Sequence, residues 1–66
     1  MNKIEFGTYA RRISDNQLIY IVGSARDVSK TENNEVIIFA ILGENGFMTE
    51  TCVQDKNDFM ETFEKV

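Results

Sequence analysis

The chain has no histidine, no proline and no tryptophan, and a single cysteine, Cys52. Each absence removes a class of answer. One cysteine excludes a disulfide within the chain, and a lone thiol without imidazole partners does not make a structural zinc site. Without histidine the commonest general acid–base and nucleophile-activating group is missing, so the reading is non-enzymatic and assigns no catalytic residue. Basic residues are scarce, 7 against 11 acidic ones, for a formal net charge of −4. That balance lacks the footprint direct nucleic-acid binding needs and favours partners with basic patches. No stretch approaches the ~20 apolar residues of a membrane span. Met1-Asn2-Lys3-Ile4-Glu5 opens without the apolar core of a signal peptide. These features predict a reducing, cytoplasmic setting, no membrane partner, no metal and no cofactor. Gly43-Glu44-Asn45-Gly46 lacks the lysine and spacing of a phosphate loop, and the acidic residues do not follow calcium-loop spacing.

What the chain does have is one long apolar run, Val36-Ile37-Ile38-Phe39-Ala40-Ile41-Leu42, closed by Gly43-Glu44-Asn45-Gly46. A strand with one wet face alternates apolar and polar residues, whereas this run has no polar residue on either face, so both faces are expected to be covered. The 66 residues make one small domain, residues 1–66, and 42% are hydrophobic. A chain of that length buries only about 60% of its unfolded surface. With disulfide and metal excluded, oligomerisation is the remaining common reinforcement. The expectation is a homodimer with the uncovered side of the 36–42 strand, or its edge, in the interface.

Around this run the chain divides into five elements. A first strand spans residues 3–13, bent at Gly7, and Ser14-Asp15-Asn16-Gln17 supplies turn chemistry. Leu18-Ile19-Tyr20-Ile21-Val22 is a second strand, which Gly23-Ser24-Ala25-Arg26 continues or bulges. A polar loop covers residues 27–34, and residues 36–42 form the central third strand. Asn45-Gly46 predicts a tight hairpin. The fourth strand, residues 47–53, alternates Phe47, Thr49, Thr51 and Val53 against Met48, Glu50 and Cys52. Asp55 caps a last helix of about eleven residues with Phe59, Met60, Phe63 and Val66 on one face. The fold class is therefore α+β: a curled, barrel-like, four-stranded antiparallel sheet with one C-terminal helix.

Three blocks of residues also resemble a small bacterial domain family of unknown function. Gly7-Thr8-Tyr9 matches its opening Gly-x-Tyr, Val22-Gly23-Ser24-Ala25-Arg26 keeps its Gly-x-Ala-Arg, and Val36-Ile37-Ile38-Phe39-Ala40-Ile41-Leu42-Gly43 fits its Val-Val-Tyr-x-Ala-Leu-Tyr-Gly. Arg11 stands where the family has histidine, Asp27-Val28-Ser29 replaces His-Ser-Glu, Leu42 replaces the tyrosine before the glycine, and the family's late Arg-Pro pair is missing. The resemblance implies a small β-rich fold and no activity.

The residues singled out for function are Tyr9, Arg11, Tyr20 and Arg26, because tyrosine and arginine together are what protein interfaces favour. If the first two strands pair, Arg11 lies near residues 18–20 and Arg26 at the far end. Cys52 reads as a core residue rather than a nucleophile. The carboxylate pairs Glu32/Glu35 and Asp55/Asp58 read as a solvated loop and a helix N-terminus. The leading function is a non-catalytic protein-interaction or adaptor module of bacterial or phage origin, with a protein partner of unknown identity. The alternative is an acidic inhibitor, with Asp55, Asp58, Glu61 and Glu64 in a row that mimics nucleic acid and blocks a nucleic-acid-acting protein.

Overall fold

A computed structural model describes every residue except Asn2, Lys30, Glu32 and Asn33. It contains β1 (Tyr9–Arg12), β2 (Leu18–Arg26), β3 (Glu35–Leu42), β4 (Met48–Asp55), α1 (Lys56–Thr62) and β5 (Phe63–Lys65). The strands form one antiparallel sheet in the order β4-β3-β2-β1-β5. The 36–42 run is interior to the sheet but one place off its middle, which β2 occupies, and the α+β class holds. The strand count and the end of the chain do not: there are five strands rather than four, and the sheet is open rather than closed into a barrel.

The turns are set locally. Asn16 sits at φ 61°, a left-handed conformation that asparagine tolerates better than most residues. Its N–H donates to Arg12 O at 2.8 Å, and Arg12 N–H donates to Gln17 O at 2.8 Å. The β3–β4 connection is a turn whose last residue, Gly46, sits at φ 82°. Gly46 N–H donates to Gly43 O at 2.9 Å, and Gly43 N–H to Phe47 O at 2.8 Å. The early bend also falls at Gly7, φ 79°. It shortens the first strand to Tyr9–Arg12, while Gly7 N–H and Thr8 O still bracket Ile21 at 2.7 and 2.9 Å.

The helix is shorter than the stripe Phe59–Phe63–Val66 predicts. Asp55 caps it, its carboxylate accepting from Asn57 N–H and Asp58 N–H. At Phe63 the backbone turns extended, and residues 63–65 add to the open edge of β1, pairing Arg12 with Phe63, Arg11 with Glu64 and Ala10 with Lys65. Ile13 N–H donates to Thr62 O at 2.9 Å at the same junction. The edge of β1 would otherwise leave its N–H and C=O groups to water. An ion pair between Arg11 and Glu64 fastens the new strand. Val66, expected on the buried stripe, is 69% exposed.

Seven helical residues span only about 10 Å. They carry the chain from one edge of a sheet that, if flat, would be roughly 19 Å wide between its outer strands. The sheet therefore curls toward the helix, and the core lies in that concavity. Ala10, Ile19, Ile21, Ile37, Phe39, Phe59 and Phe63 form it, with Met1, Ile4, Ile41 and Cys52 packed against them. Phe39, Phe59 and Phe63 meet with ring centroids 4.6 to 5.5 Å apart. Met60, expected in this face, is half-buried.

Candidate functional site

The side of the sheet away from the helix carries the only large group of apolar side chains outside the core that the described strands bring together. Cross-strand register fixes its membership, because paired residues share a face. Tyr9 faces Tyr20, Arg11 faces Leu18, Ala40 faces Tyr20 and Thr51, and Ile38 faces Gly23 and Val53. A bulge between Ile21 and Gly23 puts Val22 on this outer face beside Gly23. A second irregularity, between Ile41 and Leu42, pairs Leu42 with Met48. That shift corrects the expected alternation of the fourth strand. Met48 joins Thr51 and Val53 on the outer face, while Glu50 and Cys52 point to the helix side.

β3 is largely covered on this face without any second layer. Ala40 is 1% and Leu42 7% exposed, and Val36 and Ile38 are half-buried beneath side chains of the flanking strands. The cost falls on those neighbours: Tyr9, Leu18, Val22, Met48 and Val53 stand 39–65% exposed. The two-sided burial expected of the run is thus met only in part within one protomer, with Val36, Ile38 and Ile41 half-buried, and the most open apolar surface lies on its flanks.

Of the four residues singled out from the sequence, the fold gathers three. Tyr9 and Tyr20 meet edge-on with centroids 5.3 Å apart. Arg11 lies one step along β1 on the same face, held by Glu64 and by a hydrogen bond donated to Asn16 Oδ1 at 2.6 Å. Arg26 is not part of this group. It pairs in register with Glu35 at the far end of β2, on the opposite face, about 20 Å along the strand from Tyr20. The sequence reading missed Leu18, Val22, Met48 and Val53. Leu18 carried a signal, since the Asp15-Asn16 turn sets it opposite Arg11; Val22 and Met48 depend on irregularities that no alternation reveals.

The other chemistry-bearing residues are occupied structurally. Arg12 donates to both carboxylate oxygens of Asp15, from Nε and Nη2 at 2.9 Å each. That pairing raises the guanidinium above its usual value and, with a further bond from Gln17 N–H, holds the Asp15 carboxyl below the usual carboxylate range. Asp55 is spent on the helix cap, and Glu35 pairs with Lys56 at 3.3 Å. Glu32, offered as the partner of Glu35, lies outside the described residues. Cys52 is a half-buried free thiol against the core. Among the described residues no group of three or more metal-binding side chains occurs. The hollows are shallow; the one by Lys3, Ile4, Phe6, Glu35, Ile37, Lys56 and Met60 holds about 280 Å³. No helix of the described residues is long and apolar enough to cross a membrane.

No family model matches the chain, and neither the curated proteins nor the solved structures contain a significant match.

Proposed function

We propose that this chain is a non-catalytic interaction module whose working surface is the outer face of the sheet, and that two copies pack these faces together. The observation that carries the reading is the exposure of Tyr9, Leu18, Val22, Met48 and Val53 on one contiguous face of so small a protein. Isolated exposed apolar residues need no explanation, but a grouped set marks an interaction site. The size fits a second copy. The eight- and nine-residue strands β2, β3 and β4 run about 26–30 Å, and with the four-residue β1 beside them give a footprint of roughly 440 Å². Side-chain relief raises the accessible area toward the roughly 800 Å² per partner of a standard interface. The buried core of the described residues is nine side chains, with no disulfide among them, so pairing adds apolar burial where it is scarce. Tyr9 and Tyr20 supply rigid aromatic area near Arg11, the composition interface centres favour.

The inhibitor reading has less support. Its acidic row is divided: Asp55 caps the helix, Glu64 has left the helix for β5 and pairs with Arg11, and only Asp58 and Glu61 stay on α1.

Sedimentation equilibrium tests the proposal. The expected result is a dimer of the 7.6 kDa chain at micromolar concentration. The double variant Val22→Lys/Val53→Lys, changed only at exposed positions, is expected to be a folded monomer. A wild-type monomer at high micromolar concentration overturns the reading.

A further inference from the structure

We propose that the free edge of β4 is a second binding surface, one that accepts an extended basic segment of another polypeptide as an additional strand. It goes beyond self-association through the sheet face, because it uses the hydrogen-bonding edge of the sheet. The two edges are unequal. β5 is three residues long, whereas β4 runs the eight residues Met48–Asp55, and its first four residues and Val53 are exposed. Long edges are normally blunted by proline, by lysine or by a cover, since their unpaired N–H and C=O groups template another strand. β4 has neither proline nor lysine, and its only irregularity lies at its start, opposite Leu42. The helix leaves β4 at Asp55 and packs under the sheet against β3, β4 and β5, with Phe59 in the core beside Phe39 and Phe63.

Charge selects the occupant. Residues 31–55 contain no lysine or arginine, and within them Glu44 and Glu50 lie exposed at the turn and along β4. The next cation, Lys56, pairs with Glu35. A second copy paired edge to edge would bring another uncompensated acidic strand alongside, with like charges near one another. A basic segment meets complementary charge instead. Side-chain alternation refines this further. On the outer face an added strand lies beside Met48, Thr51 and Val53, and on the helix side beside Glu50. The segment that fits alternates apolar and basic residues. Main-chain hydrogen bonds supply its affinity and this alternation its register.

Titration of the isotope-labelled protein with a short synthetic peptide alternating valine and lysine, followed by amide chemical shifts, tests the proposal. The expected result is saturable shifts concentrated at residues 48–55. Binding is expected to fall by about ten-fold or more for a valine–glutamate peptide, for a peptide N-methylated at alternate residues, and for the Glu50→Lys variant. Glu50 is exposed, so the variant is expected to fold, and circular dichroism checks this. Shifts scattered over the chain, an N-methylated peptide that binds equally well, or no binding at millimolar peptide overturns it.

Discussion

Phe63 is where the last strand, the helix end and the core meet, and its truncation tests that junction. It is 1% exposed, and its ring lies 5.1 Å from that of Phe39 and 4.6 Å from that of Phe59. Replacing a buried phenylalanine by alanine costs about 3–5 kcal/mol, the lost transfer energy plus the cavity left behind. Stability of about 0.05–0.15 kcal/mol per residue gives a chain of this length roughly 3–10 kcal/mol in all. Phe63→Ala is therefore expected to remove a third or more of the stability and, at the lower end, to leave the chain largely unfolded. The comparison is Phe47→Ala, at a 71% exposed position beside the β3–β4 turn, expected to stay within about 0.5 kcal/mol of wild type. Urea unfolding followed by circular dichroism measures both, at one fixed protein concentration because self-association makes stability concentration-dependent. A loss below about 1 kcal/mol for Phe63→Ala, or an equal loss for Phe47→Ala, would refute the placement of residues 63–65.

The two glycines Gly46 and Gly23 should respond in opposite directions to alanine. Gly46, at φ 82°, should lose about 1–2 kcal/mol, whereas a Cβ on Gly23 meets open space on backbone without positive φ and should be neutral or gain up to about 1 kcal/mol, as thermal melts will show. Asp55→Ala removes the acceptor for Asn57 N–H and Asp58 N–H and should cost about 1 kcal/mol in urea unfolding. The depressed Asp15 carboxyl makes a contribution that is present above its ordinary titration range and lost as pH falls through its lowered folded value. Asp15→Asn should accordingly lower neutral-pH stability slightly and flatten the loss below about pH 4 by the same small amount, since the pair is exposed and screened by salt.

Local chemistry made much of the sheet legible. Asn16 and Gly46 carry the turn conformations their types favour, and the unbroken apolar run became an interior strand, β3, paired on both sides. The end of the chain was not legible, because Phe59, Phe63 and Val66 fit a helical stripe as well as they fit a helix followed by a strand. What decides is tertiary: β1 has an open edge, and Arg11 offers Glu64 a partner there, 53 positions away in sequence. The candidate surface was half legible for a similar reason. Tyr9, Arg11 and Tyr20 come together because a short turn sets their register, while the Met48 and Val22 positions follow from irregularities in pairing. Arg26 resembles the other three in type but lies at the opposite end of a nine-residue strand.

The claim that the outer sheet face is covered by a second copy is tested most directly by isotope-filtered NOE measurements on a mixture of labelled and unlabelled protein. Cross-peaks between copies are expected from the methyl groups of Leu18, Val22, Met48 and Val53, to one another and to the rings of Tyr9 and Tyr20. Cross-peaks confined to other surfaces, such as Val28 or Val66, or none in a sample that sediments as a dimer, would contradict it.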